Sequence, residues 1–351
     1  MSFLLMIFLV VLSSYVIFRA SFSFDIAASF LTRKMSSGVK GPTINAVASS
    51  LPELLISFLF LFHYSDLSGF SAGYAAIIGS AAFNICVIPC IAALTYFYYS
   101  REKSFKLNTT IIIQDSLFNI FSIITLGLIF YFGRITPMNS LVLMIVYSLY
   151  IYSVFTYRKT EQVKPYEELT FKDSNVFNNL IHLKIFSLFG NRVNKLNSIL
   201  VVLISLILIA LSCHLLTTSC ESISSLFGVN LFYISFFIAA IASSLPDTIL
   251  SVYDAKKGHY DDAFSNAFGS NIFDVCIGLG LPVFIYTLIN GDILINDNSK
   301  FSSELLIISL ILLLLVSVAI GILFSLGKFN KNKIIITLIL YSLFIFSILS
   351  L

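Results

Sequence analysis

Apolar runs of about 20 residues, the length that crosses a bilayer's hydrocarbon, recur from one end of this chain to the other, separated by short polar segments. Hydrocarbon supplies no hydrogen-bond partner, so the backbone inside it must satisfy itself, as helices or as a closed barrel. Unbroken apolar runs without alternation select helices. With 58% hydrophobic and 11% charged residues, no soluble globular reading survives. Without a basic stripe on a polar domain, the net charge of +3 gives no reason to expect a nucleic-acid partner.

Hydropathy and helix breakers predict ten helices, near 2–20, 40–62, 70–99, 108–132, 137–156, 196–217, 228–253, 262–290, 303–326 and 333–351. The first run, Phe3 to Phe18, has no basic leader and no small-residue cleavage site, and reads as a retained span. With the N-terminus outside, 19 of the 21 Lys/Arg residues fall in inside loops, among them Arg19, Arg33, Lys34 and Lys40 in the first; only Arg134 and Lys300 fall outside. The expected fold is therefore an all-α polytopic membrane protein with both termini outside. A first five-helix repeat (1–156) and a second (196–351) flank a cytoplasmic loop (157–195).

A duplicated motif supports that division. Ala48-Ser49-Ser50-Leu51-Pro52-Glu53 returns as Ala242-Ser243-Ser244-Leu245-Pro246-Asp247, and Ile44–Ser57 laid over Ile238–Ser251 gives 8 identities in 14 positions. Each copy precedes a second shared block, Gly79-Ser80-Ala81-Ala82-Phe83-Asn84 and Gly269-Ser270-Asn271-Ile272-Phe273-Asp274. Corresponding helices are five spans apart, and an odd offset inverts one copy against the other, the layout of many secondary transporters. All four blocks fall near mid-membrane.

Proline lacks an amide donor and clashes one turn back, so Pro52 and Pro246 are expected to release backbone carbonyls near Ala48 and Ala242. Those carbonyls, the serine hydroxyls and the carboxylates of Glu53 and Asp247 make an oxygen-only shell, which suits calcium or sodium rather than zinc or copper. The i, i+4 spacing puts Ser80 with Asn84, and Ser270 with Asp274, on one helix face. A single proline-serine segment in a membrane helix is commonly a packing kink. Two copies, each ending in an intramembrane carboxylate, point instead to a cation site.

Other polar residues have plainer readings. Asp115 reads as a helix-start charge, Asp261 and Asp262 as acids at the start of helix 8, and Asn266 as a second-sphere candidate. His63, His182, His214 and His259 have no evident partner. The five cysteines, Cys86, Cys90, Cys213, Cys220 and Cys276, lack metal-site spacing and read as packing residues.

At the four blocks the chain resembles the cation/calcium exchanger superfamily, whose two alpha-repeats carry G-[ST]-S-x-P-[ED] and G-S-x-x-[FC]-[ND]. Within it, the potassium-dependent sodium/calcium exchangers share the run Ser49–Glu53, Gly79–Asn84, Pro246-Asp247, Lys257-Gly258 and Gly269–Asp274. The resemblance implies that Glu53 and Asp247 are the central calcium and sodium carboxylates. It implies hydroxyl or carbonyl oxygens from Ser49, Ser50, Ser243 and Ser244, backbone carbonyls from Ala46 and Ala240, and flanking sodium positions at Ser80, Asn84, Ser270 and Asp274. Aspartate at the last position occurs in potassium-dependent and potassium-independent members alike, so potassium use stays open. Ala48 and Ala242 stand where the family generally has glycine, and Ser243 where it often has threonine.

The expected function is Ca2+/Na+ antiport by alternating access, in a non-enzymatic protein of the cell membrane. The expected transport unit is a monomer that needs no cofactor and takes Ca2+, Na+ and, as an open question, K+ as its ions, with helices 1 and 6 rocking against the rest. Proton/calcium exchange is the near alternative, although the G-N-x-x-E motif of those relatives is absent. A passive channel and an intramembrane aspartyl protease are remote: Tyr253-Asp254 matches half of a protease signature, but Gly278-Leu279-Gly280 is followed by Leu281 rather than aspartate.

Overall fold

The computed structural model describes residues 3–33, 43–44, 46–64, 66–158, 183–189, 193–295 and 300–351. Lys34 and Lys40 of the expected first loop, and most of the expected central loop with His182, lie outside the described residues. The described chain is nearly all helical. In order come α1 (Phe3–Leu31), α2 (Ala46–Ser49 and Leu51–Tyr64), α3 (Asp66–Ser100), α4 (Thr109–Tyr131) and α5 (Pro137–Tyr157). A short 3-10 turn, Ile185–Phe189, precedes α6 (Lys195–Phe227), α7 (Leu231–Lys256), α8 (Tyr260–Asn290), α9 (Lys300–Ser325) and α10 (Lys331–Leu349). Among the described residues nine of these are long and apolar enough to cross a membrane. The tenth expected span is α2, whose longest unbroken part is only 14 residues.

Two helix ends differ from expectation. α1 runs to Leu31 instead of ending near 20, and α6 to Phe227 instead of 217. Both extensions carry polar residues (Arg19, Ser21, Ser23 and Asp25 in α1; Thr217, Thr218, Ser219 and Glu221 in α6) that lower local hydropathy without breaking a helix. Arg19 is thus a helix residue rather than a loop charge, its guanidinium 5.7 Å from the Phe18 ring centre. Helix starts follow local chemistry: the side chains of Asn108, Thr136, Asn194 and Asn330 accept from backbone amides of the first turns of α4, α5, α6 and α10.

α3 is the central helix and is mostly buried, whereas α1 and α10 are largely exposed. α2, α7, α8, α9 and α10 pack on it, while α1 and α6 lie along each other as a pair. Small residues permit this closeness. A Cβ on Gly79 would overlap the Phe236 carbonyl oxygen and lie 2.7 Å from Ala240 Cβ, and Gly69 and Gly73 admit the backbone of α2 at Phe60 and Ser57. Two short antiparallel ribbons tie helix connections: β1 (Ser104–Phe105) to β4 (Phe329–Asn330), and β2 (Arg134–Ile135) to β3 (Ile293–Leu294). Each joins two connections expected on the same face of the membrane. The five cysteines are free and buried.

Gly79→Val should therefore split the α3–α7 contact and lower the yield and thermal stability of monodisperse protein, measured by fluorescence-detected size exclusion. Gly127→Ala should be tolerated, because its new methyl would meet Leu310 at an ordinary 3.5 Å.

Candidate cation site

The repeated proline restarts a helix instead of merely bending it. α2 breaks at Ser50 and resumes at Leu51; α7 breaks at Ser244 and resumes at Leu245. Pro52 and Pro246 are second residues of the resumed halves, where a missing amide costs nothing. Glu53 and Asp247 follow in those first turns, where the helix dipole favours a carboxylate. α3 passes the site as one helix with Pro89 inside, whereas α8 turns there from α to π geometry over Asp274–Leu279. Such π segments are frequent at functional sites.

All the expected site residues are buried, none above 3% exposed. Ser80 is the hub. Its hydroxyl donates to Glu53 Oε1 at 3.2 Å and lies 3.5 Å from Asp274 Oδ2; Asn84 Nδ2 donates to Ser80 Oγ at 3.4 Å, and Ser244 Oγ does so at 2.9 Å. In the other half Ser270 donates to Asp247 Oδ1 at 2.7 Å, with Asn266 Nδ2 at 3.4 Å on the same oxygen. The serines lie across the repeats, Ser243 beside Glu53 and Ser49 beside Asp247, while their hydroxyls donate to the Ala240 and Ala46 carbonyls. Ser50 faces Asp274. The twelve residues expected from the sequence thus converge, with Asn266 beside them.

The carbonyls behave less simply. Ala46 O accepts from Ser50 N at 3.0 Å and from Ser49 Oγ at 3.3 Å, and Ala240 O accepts from Ser244 N and Ser243 Oγ at 3.1 Å each, with Ser244 Oγ 2.8 Å away. A cation at either carbonyl must share or displace these donors. Ala48 and Ala242 are buried, so their methyl groups fill space that glycine would leave.

Charge is the decisive property. Glu53 Oε2, Asp247 Oδ2 and Asp274 Oδ1 are buried without a hydrogen-bond partner, as are Asn84 Oδ1 and Asn266 Oδ1. Unpaired buried oxygens are costly, and three neighbouring carboxylates multiply the cost unless protons or cations neutralise them. Among the described residues Arg158 is the one buried basic side chain, and Asp115 holds it. Among the described residues no three His, Cys, Asp or Glu side chains are placed to hold a metal by themselves. The donor set is mixed carboxylate, hydroxyl and amide oxygen, which fits a hard cation.

Asp115 itself departs from its expected place as a helix-start charge. It is fully buried and ion-paired with Arg158, and it accepts from Tyr150 Oη at 3.0 Å and Ser265 Oγ at 2.6 Å. Arg158 also donates to Gln114 Oε1 at 3.1 Å and Ser265 Oγ at 2.9 Å. Ser265 adjoins Asn266, so this pair anchors the segment of α8 that faces Asp247. Sequence spacing held no signal for it, because Asp115 and Arg158 are 43 positions apart. Asp261, in the first turn of α8, accepts from the Asn108 amide at 2.8 Å and so joins α8 to the start of α4.

A sequence profile of the sodium/calcium exchanger protein family matches residues 1–156 and 197–349. The sodium/potassium/calcium exchanger 1 of Gallus gallus is 32% identical over 148 residues, which are 42% of this chain and 21% of that protein. Exchanger 2 of Mus musculus is 31% identical over 144 residues, 40% of this chain and 21% of that protein. The matched segments thus span about a fifth of these relatives. A crystal structure of the H+/Ca2+ exchanger CAX aligns with TM-score 0.72 and 18% identity over 98% of this chain and 82% of that chain. The sodium-calcium exchanger NCX_Mj, soaked with 2.5 mM Na+ and 1 mM Sr2+, aligns with TM-score 0.61 and 19% identity over 98% of both chains. At these identities the two structures share the fold.

Removing one partner of a buried ion pair strands the other, so Asp115→Ala should cost about 3–5 kcal/mol. Asp115→Ala combined with Arg158→Met should recover part of that loss, measured as thermal unfolding of the three variants.

Proposed function

The chain belongs to the sodium/calcium exchanger protein family, whose members are membrane transporters rather than enzymes, and we propose that it exchanges calcium for sodium by alternating access at the Glu53–Asp247–Asp274 cluster. One observation carries this reading: three buried neighbouring carboxylates each present an oxygen with no protein partner, and the buried arginine is engaged elsewhere. Such a cluster is completed by cations. Calcium and a set of sodium ions satisfy the same charges, and because two loads together would leave excess positive charge in a poorly screened interior, they bind in competition. Competition at one site, with access switched between faces, produces antiport.

The reading includes ten spans in two inverted halves, 1–156 and 196–351, with a cytoplasmic loop over 157–195 and both termini outside. The α1–α6 pair, packed lengthwise, is the element that rocks. Ser49, Ser50, Ser243, Ser244, Ser80 and Ser270 are assigned as hydroxyl ligands, Ala46 and Ala240 as carbonyl ligands, and Asn84 and Asp274 as flanking ligands. Because one chain contains the whole cluster, the transport unit is a monomer, placed in the cell's limiting membrane, and no resident cofactor is required. Potassium, if carried, is expected to act through Asp274.

The test is radioactive calcium uptake into proteoliposomes preloaded with sodium, with external potassium and pH varied independently. Uptake should require the sodium gradient, and Glu53→Gln or Asp247→Asn should reduce it to background in protein that still elutes as a single species. A fully active Glu53→Gln protein would refute the assignment. Uptake indifferent to sodium but driven by a pH gradient would make protons the counter-ion.

A further inference from the structure

We propose that Ser21 with Asp25, and Thr217 with Glu221, are cation transfer sites, one at each mouth of the passage to the central cluster. The proposal rests on the calcium-transport reading above. Asp25 lies on α1, six residues before its end at Leu31, and Ser21 is one turn earlier on the same face. Both line a narrow cleft with Ser49 of α2 and Pro246 of α7, with room for about one water molecule. Ser49 lies beside Asp247, so the cleft ends one side chain from the central carboxylates. Ser21 is 2% exposed, and its hydroxyl has no hydrogen-bond partner. A buried, unpaired oxygen one turn from a carboxylate is half of an ion shell. The spacing also repeats the hydroxyl-then-carboxylate pattern of Ser270 and Asp274.

α6 carries the counterpart. Thr217 and Glu221 are again i, i+4, and they line a cavity of about 230 Å³ together with His63 and Tyr64 at the far end of α2. Glu221 Oε2 lies 3.6 Å from His63 Nε2, and Tyr64 is within its reach. Ser21 and Thr217 are 196 positions apart, as are Asp25 and Glu221, against 194 for Ser49 and Ser243. The two pairs therefore occupy matching places in the duplicated halves. Inversion puts one mouth toward the 157–195 loop and the other toward the opposite face.

Physically, a carboxylate beside a hydroxyl concentrates a hydrated divalent cation and replaces part of its water shell before the cation meets the fully buried cluster. The gain is in loading from one side. A residue that merely supported the fold would alter loading from both.

Calcium/calcium self-exchange, which needs neither sodium nor protons, is therefore measured in vesicles of each orientation. Asp25→Asn should weaken apparent calcium affinity about tenfold when calcium is presented from the loop side and leave the other side unchanged. Glu221→Gln should do the reverse, and Asp25→Glu should restore loop-side affinity. No change in either variant, or equal change from both sides, would overturn the inference while leaving the exchange reading intact. Absence of self-exchange in the unmodified protein would overturn the calcium reading and this inference with it.

Discussion

Three buried carboxyl groups with no buried cationic side chain of their own are the condition that the rest of the structure answers to. Glu53, Asp247 and Asp274 meet in the interior; a serine donates to one oxygen of Glu53 and of Asp247, Asp274 Oδ2 lies 3.5 Å from Ser80, and one oxygen of each acid has no protein donor. The surrounding chain is built to tolerate this. Broken helices start afresh beneath two of the acids, so their dipoles oppose the charge, and small residues bring α2, α3 and α7 close enough for serines to crowd the carboxylates. In the proposed exchange, cations would complete this cluster, and which cations do so from which face would set the direction of transport.

The two halves are alike in plan and unequal in detail. Asn84 in the first half answers to Asp274 in the second, and only the second bends into π geometry at that point. Ser80 bridges toward Glu53 and Asp274, whereas Ser270 serves Asp247. The two halves thus contribute unequally, one of the three carboxyl groups coming from the first and two from the second. The ion pair of Asp115 with Arg158 has a different role. It is buried and saturated with hydrogen bonds, and its bonds to Ser265 reach the residue next to Asn266. Buried ion pairs contribute little net stability but strongly penalise misplacement. Here the pair sets the position of α8 beside Asp247.

The residues that converge at the candidate site were largely legible in the sequence because duplication displayed them twice. A lone proline-serine segment has a packing explanation; two copies five helices apart, each with an acid in hydrocarbon, do not share it. Polar extensions were not legible. The stretch from Arg19 to Asp25 reads as a loop by hydropathy, yet neighbouring helices shelter its polar groups and it continues α1 for three more turns. Asp115 likewise gave no sign of Arg158, since a pair 43 residues apart leaves no periodic trace.

Sequence alone determined the helical membrane class, the two-fold repetition and the identity of the acids and serines at the centre, because hydrogen-bond satisfaction in lipid and residue chemistry are local requirements. Only the tertiary structure decided which serine serves which acid, that Ser80 donates to Glu53 and Ser270 to Asp247, that the carbonyls of Ala46 and Ala240 already hold donors, and that the buried arginine is engaged by Asp115. Those outcomes depend on how the two halves approach each other through space. Helix rotation and the close contact at Gly79 set that approach, and neither is written in the order of residues along one helix.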